Sequence, residues 1–157
     1  MKTSRVRFSG AILARGFWLY AWRITCGNAQ FFYVGRTGDS SSQYAASPFS
    51  RLGQHLDVRP KAAANMLLRH VRNEGLDPTS CDYELVAFGP IFPEQLDLTS
   101  HRVHRNRIAP LETQLAELLR GRGFRVVGKH GSKHMVDEDL LCQVRKAFNA
   151  EFRDSAG

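Results

Sequence analysis

The sequence predicts an α/β fold: a small sandwich with a central mixed sheet of three to four strands, flanking helices and one further C-terminal helix. Three observations predict it. Residues 17–24 and 31–35 are aromatic, β-branched and alternating, with a turn-forming Cys-Gly-Asn-Ala between them. Residues 61–73, 109–120 and 136–152 carry apolar side chains at helical spacing. Two further short strand-like runs, 83–88 and 124–127, fall between those helices, and a β-β-α-α-β-α-β-α order folds as helices packed on one sheet.

The elements follow in order. Trp18, Tyr20 and Trp22 fix the period of the first strand, and Phe31 to Gly35 return as its hairpin partner. Residues 38–50 are polar and Ser-rich, a loop that ends where Pro48 can open a helix through Leu56. After Pro60, Ala64, Leu67, Leu68 and Val71 mark one face of a second helix. Residues 83–88 alternate as a third strand, and the Pro-containing stretch from 90 to 107 reads as a surface insertion. Leu111, Leu115, Leu118 and Leu119 make the stripe of the helix over 109–120, which Gly121 and Gly123 end. Asp137, Glu138 and Asp139 suit the first turn of the last helix.

A length of 157 residues fits a single domain, 1–157, with a core over 16–128 and a helical extension over 136–152. No apolar run is long enough for a membrane span, and the basic N-terminal stretch lacks a cleavage-site pattern, so neither membrane nor export is expected. Three cysteines without CxxC spacing argue against a disulfide framework or a zinc site and for reduced thiols in the cytoplasm.

The net charge of +7 is segregated. Residues 1–37 hold six Lys or Arg and no acid, 74–97 hold six acids and no Lys or Arg, and 120–133 hold five basic residues and no acid. A basic face implies a polyanion, with nucleic acid ahead of membrane. Arg36, Arg102, Arg105, Arg107, Arg122, Arg125, Lys129 and Lys133 are the candidate phosphate contacts, with His101 and His104 beside the central arginines.

The chemistry-bearing residues form an ordered set. Tyr20 closes the triplet Trp-Leu-Tyr on one strand, and Tyr33 opens Tyr-Val-Gly on the next. Arg51 and His55 are four apart, hence on one helix face, and Glu112 stands near the start of a later helix. Phosphodiester hydrolysis needs an in-line nucleophile, neutralised phosphate charge and help for the leaving oxygen. Glu112 can hold one Mg²⁺ or Mn²⁺, which keeps waters and takes substrate oxygens as its other ligands. Arg51 can pair with phosphate. Tyr20 or Tyr33 can position and deprotonate water if nearby cations lower a phenol pKa of about 10, and His55 can accept a tyrosine proton or orient its hydroxyl.

In these residues and their order the chain resembles the GIY-YIG nuclease superfamily. The resemblance covers roughly residues 16–128 and implies a tyrosine-activated water, an arginine on the phosphate and a glutamate on one metal ion. The first triplet lacks its glycine, and Val127-Gly128-Lys129-His130 holds no asparagine where the family carries one after its last core strand. The expected activity is metal-dependent DNA endonuclease, with RNA open and a homodimer as one route to duplex cleavage. The alternatives are a nucleic-acid-binding module with a lapsed site and an interaction domain for an acidic protein.

Overall fold

The computed structural model describes residues 3–40, 42–59, 61–62 and 65–152. Four strands, β1 (Gly16–Cys26), β2 (Ala29–Arg36), β3 (Asp82–Pro93) and β4 (Val126–Val127), form one sheet in the order β3-β1-β2-β4. β1 pairs antiparallel with both β2 and β3, and β4 pairs parallel with β2, so the sheet is mixed. The helices are α1 (Pro48–His55), α2 (Met66–Asn73), α3 (Leu98–Gly121) and α4 (Glu138–Glu151).

Alternation along β1 and β2 sorts side chains into two cores. Phe17, Leu19, Ala21, Phe32 and Val34 face Ile108, Leu111, Leu115 and Leu119 of α3 and Leu141, Val144 and Phe148 of α4. Tyr20, Trp22, Ile24 and Phe31 face Leu67 and Val71 of α2, with Leu52 of α1 at the margin. Both faces of the central strands are thus covered, which is why residues 16–22 are buried without a break. α4 lies inside the first core.

Four expectations need correction. The second helix starts at Met66 because Asn65 turns its amide back onto the carbonyls of Asp57 and Arg59; Ala64 lies outside the described residues. β4 is shorter than residues 124–127. The stretch from 90 to 107 is not confined to the surface: β3 runs on to Pro93, and Asp97 caps a helix that begins at Leu98, buries His101 and continues past Pro110. Pro110 lies inside the helix without an N–H to donate, and packing of Ile108 and Leu111 holds the helix through it.

The fourth correction concerns the thiols. Cys26 and Cys81 form a disulfide, and Cys142 is free and exposed. Their separation of 55 residues hides the pairing. The β1–β3 register, with Thr25 opposite Asp82, sets the two side by side at the sheet's end. Among the described residues, no helix is long and apolar enough to cross a membrane.

Candidate functional site

Register puts the first two candidates on one face. Trp22 pairs with Tyr33 and Tyr20 with Gly35, so Tyr20 and Tyr33 both point toward α1 and α2. Gly35 is required there: a Cβ on it would lie 2.6 Å from the Tyr20 ring. Ser47 caps α1 and Pro48 opens it, which fixes the helix that carries Arg51 and His55 on adjacent turns.

Tyr20 Oη lies 2.8 Å from His55 Nε2, and both residues are buried. His55 Nδ1 is buried without a partner. A buried bare nitrogen is tolerated better than a buried N–H without an acceptor. The proton therefore belongs on Nε2, which donates to the Tyr20 hydroxyl oxygen. Burial, reinforced by the Arg51 charge, pushes His55 down to about 4, so the ring is neutral at pH 7. The Tyr33 ring stands 5.4 Å from the His55 ring and 5.7 Å from His70.

The charged half of the site lies where β2 ends against α3. Arg36 Nε donates to Glu112 Oε2 at 2.8 Å, and Arg36 Nη1 donates to the carbonyl of Arg105 at 3.1 Å. Arg51 is ion-paired with Asp39 and donates to Gln54. Burial raises the Glu112 carboxyl above its ordinary range, against the pull of Arg36. Burial also raises Tyr20 far above a normal phenol. Tyr33 is pushed up to about 12 by burial and then by Glu112 and Asp39, with Arg51 opposing. The two tyrosines thus feel Arg51, Asp39 and Glu112, and in the resting site burial outweighs the pull of the cation on both.

Asp39, Arg36, Arg105, Asn106, Lys133 and His134 line a cleft of about 370 Å³ beside Glu112. Three of the eight basic candidates thereby meet at one opening. Arg102 and Lys129 are exposed elsewhere on α3 and on the β4–α4 connection. Arg107 pairs with Asp137 and lies over the Phe92 ring, Arg122 donates to the Phe152 carbonyl, and Arg125 pairs with Glu74. His101 and His104 do not join a surface patch: His101 is fully buried, and His104 stacks on Phe92.

Two residues escaped the sequence reading. Asp39 is an ordinary loop acid until its partner Arg51 is known. His130 accepts from Arg120 at Nδ1 (3.2 Å) and donates from Nε2 to the carbonyl of Val34 (3.1 Å), the middle residue of the second triplet. It ties the β4–α4 connection to β2 beside the position where the asparagine was expected. Its one sequence signal is that it follows Gly128, whose backbone leaves room for His130, His70 and Tyr33 together.

No family model, curated protein or solved structure matches the chain. What the fold and the site define is a three-layer α/β domain with a phenol–imidazole pair set beside a guanidinium and a half-buried carboxylate. Its assignment rests on its own residues.

Proposed function

We propose that the protein is a divalent-metal-dependent endonuclease of the GIY-YIG type that hydrolyses DNA phosphodiester bonds. The observation that carries this reading is the convergence of Tyr20, Tyr33, Arg51, His55 and Glu112, drawn from two strands and two helices, around the 2.8 Å Tyr20–His55 hydrogen bond.

The donor set fits a metal of the Mg²⁺ or Mn²⁺ kind in one way. Glu112 Oε2 is held by Arg36, while Oε1 accepts no hydrogen bond from any described residue. Among the described residues no group of three or more His, Cys, Asp or Glu side chains converges, so one carboxylate oxygen would hold the ion and substrate oxygens and waters would complete its shell. Such an ion supplies Lewis-acid stabilisation of charge on the phosphate and the leaving oxygen.

The chain's own residues supply the rest. Arg51, whose buried Nε has no partner, turns its guanidinium from Asp39 to the scissile phosphate. His55 holds the Tyr20 hydroxyl by donating to it, which leaves the phenol's own proton directed into the site. Tyr33 is the less buried phenol and faces the carboxylates. Either phenol becomes a base only when cationic charge offsets burial and, after it, Glu112 and Asp39, which confines water activation to the loaded site. Arg36, Arg105 and Lys133 extend the phosphate track along the cleft.

One domain presents one such site, so duplex cleavage needs a homodimer or successive nicks. The proposal includes cytoplasmic localisation. The Cys26–Cys81 bond opposes that part, since disulfides seldom persist in that compartment. The second reading, a binding module with a lapsed site, draws on the resting ion pairs Arg51–Asp39 and Arg36–Glu112, which occupy both charges that catalysis needs. Incubation with supercoiled plasmid and Mg²⁺ or Mn²⁺ decides between them. Nicking that is lost with EDTA and in Glu112→Ala supports the nuclease; salt-sensitive binding without nicking supports the module.

A further inference from the structure

His101 sits on the first turns of α3 with no exposed surface. Its Nδ1 lies 3.0 Å from the Gln43 carbonyl oxygen and its Nε2 lies 3.1 Å from the Gly38 carbonyl oxygen. A carbonyl oxygen only accepts, and a neutral imidazole has one N–H. Neither neutral tautomer satisfies both contacts; a ring that donates from both nitrogens does. The two carbonyls flank Asp39, the residue that holds Arg51. Gly38 leaves β2 with a positive φ of 72°, so the turn into Asp39 is fixed by glycine on one side and by His101 on the other.

We infer that His101 is a positioning residue: as the doubly protonated ring it clamps the Asp39 segment to α3 and so sets where Asp39 holds Arg51. Loss of one ring proton turns one of the two hydrogen bonds into a contact between lone pairs and loosens the clamp. The charged and titratable groups that face the ring are Glu94, from the β3–α3 connection, with Arg15 bound to it, and His104 on the same helix. Glu94 supplies the counter-charge, and its Oε1 also accepts from the Ala45 amide at 3.0 Å, so the same corner grips the segment at a third point. The Phe17 ring, 4.9 Å away, closes the pocket from β1. The protonation of His101 stands on this geometry alone; its consequence for catalysis rests on the nuclease reading of Arg51.

Nitrogen-15 NMR of the histidine rings in the whole protein tests it, with His101→Gln to assign the resonances. At about pH 6 both His101 ring nitrogens are expected to resonate as N–H, where a neutral ring shows one bare nitrogen. His101→Gln, which cannot donate to both carbonyls as the ring does, should displace the Asp39 amide and the Arg51 Nε resonance. One bare nitrogen at pH 6 overturns the proposal. A doubly protonated ring whose replacement in His101→Gln leaves Asp39 and Arg51 unmoved overturns the positioning role. Neither readout needs turnover. A protein that nicks nothing refutes the nuclease while leaving the ring measurement decisive.

Discussion

Around Tyr20 and His55 the polar groups are buried and joined by one short hydrogen bond, whereas around Arg36, Asp39 and Glu112 they are open to solvent at one edge and joined by ion pairs. Tyr20 is 3% exposed and His55 4%, against 46% for the Asp39 side chain. The difference separates two jobs. The buried half can preset geometry, because its groups have no water to turn to. The half-open half can change partners, because each charge that leaves an ion pair still meets solvent or phosphate. A resting site with Arg51 on Asp39 and Arg36 on Glu112 is neutral overall, and a phosphate and a cation would exchange into it without leaving a buried charge alone.

The largest effect should come from the half that changes partners. Glu112→Gln keeps the shape and the contact to Arg36 while removing the charge. Nicking by the variant is expected to fall by about 10³-fold, with DNA binding at low salt retained. Equal rates for parent and variant would remove Glu112 from the mechanism and the contrast with it.

Acid should break the buried half next. His55 titrates near 4 in the folded chain and near 6.5 unfolded, so the unfolded state binds more protons between these values. Stability therefore rises with pH across that window and is lost as pH falls from about 6.5 toward 4, by about 3 kcal/mol from this ring. His70 and His130, also lowered chiefly by burial, act in the same direction. Urea unfolding of the parent and of His55→Phe from pH 7 to pH 4 checks the slope, which should be shallower in the variant. The buried half can also be broken sterically. Gly35→Ala places a methyl against the Tyr20 ring and is expected to destabilise by about 2 kcal/mol, with the Tyr20–His55 contact displaced.

The two halves were not equally legible in the sequence. Strand alternation places Tyr20 and Tyr33 on one sheet face, and the four-residue helix spacing places Arg51 and His55 on one helix face, without knowledge of the tertiary fold, whereas Glu112 joins them only through the family resemblance. The sheet, its hairpin and its helices were readable from the same spacings. Asp39, His101, His130 and the Cys26–Cys81 pair were not, since each depends on contacts between residues distant in the chain. His101 meets Gly38 across 63 positions, and His130 meets Val34 across 96. α3 begins at Leu98 rather than at residue 109, and it runs through Pro110 because burial of Ile108 and Leu111 overrides the local rule against proline inside a helix. Charge count also overstated the basic face, because a sequence does not show which arginines already have carboxylates.

That last point gives the finest test of the contrast. Arg105 and Lys133 line the cleft beside Glu112, whereas Arg107 holds Asp137 at the start of α4 and Arg122 holds the carbonyl of Phe152 at its end. Each phosphate contact removed should flatten the dependence of log affinity on log salt by about 0.9 for duplex DNA. The Arg105→Ala, Lys133→Ala double variant is therefore expected to lose about 1.8 from that slope. It should bind about tenfold more weakly near physiological salt, with kcat unchanged once substrate saturates. Arg107→Ala and Arg122→Ala should leave the slope alone and lower the unfolding midpoint instead, since their partners are within the fold. Fluorescence anisotropy across a salt series, read beside thermal unfolding of the same proteins, separates the two outcomes. If all three variants shared one salt slope, the cleft would have no privileged claim on phosphate and binding would belong to the whole surface. If only the cleft pair moved it, phosphate recognition would follow from which cations the fold leaves uncommitted, rather than from how many the sequence contains.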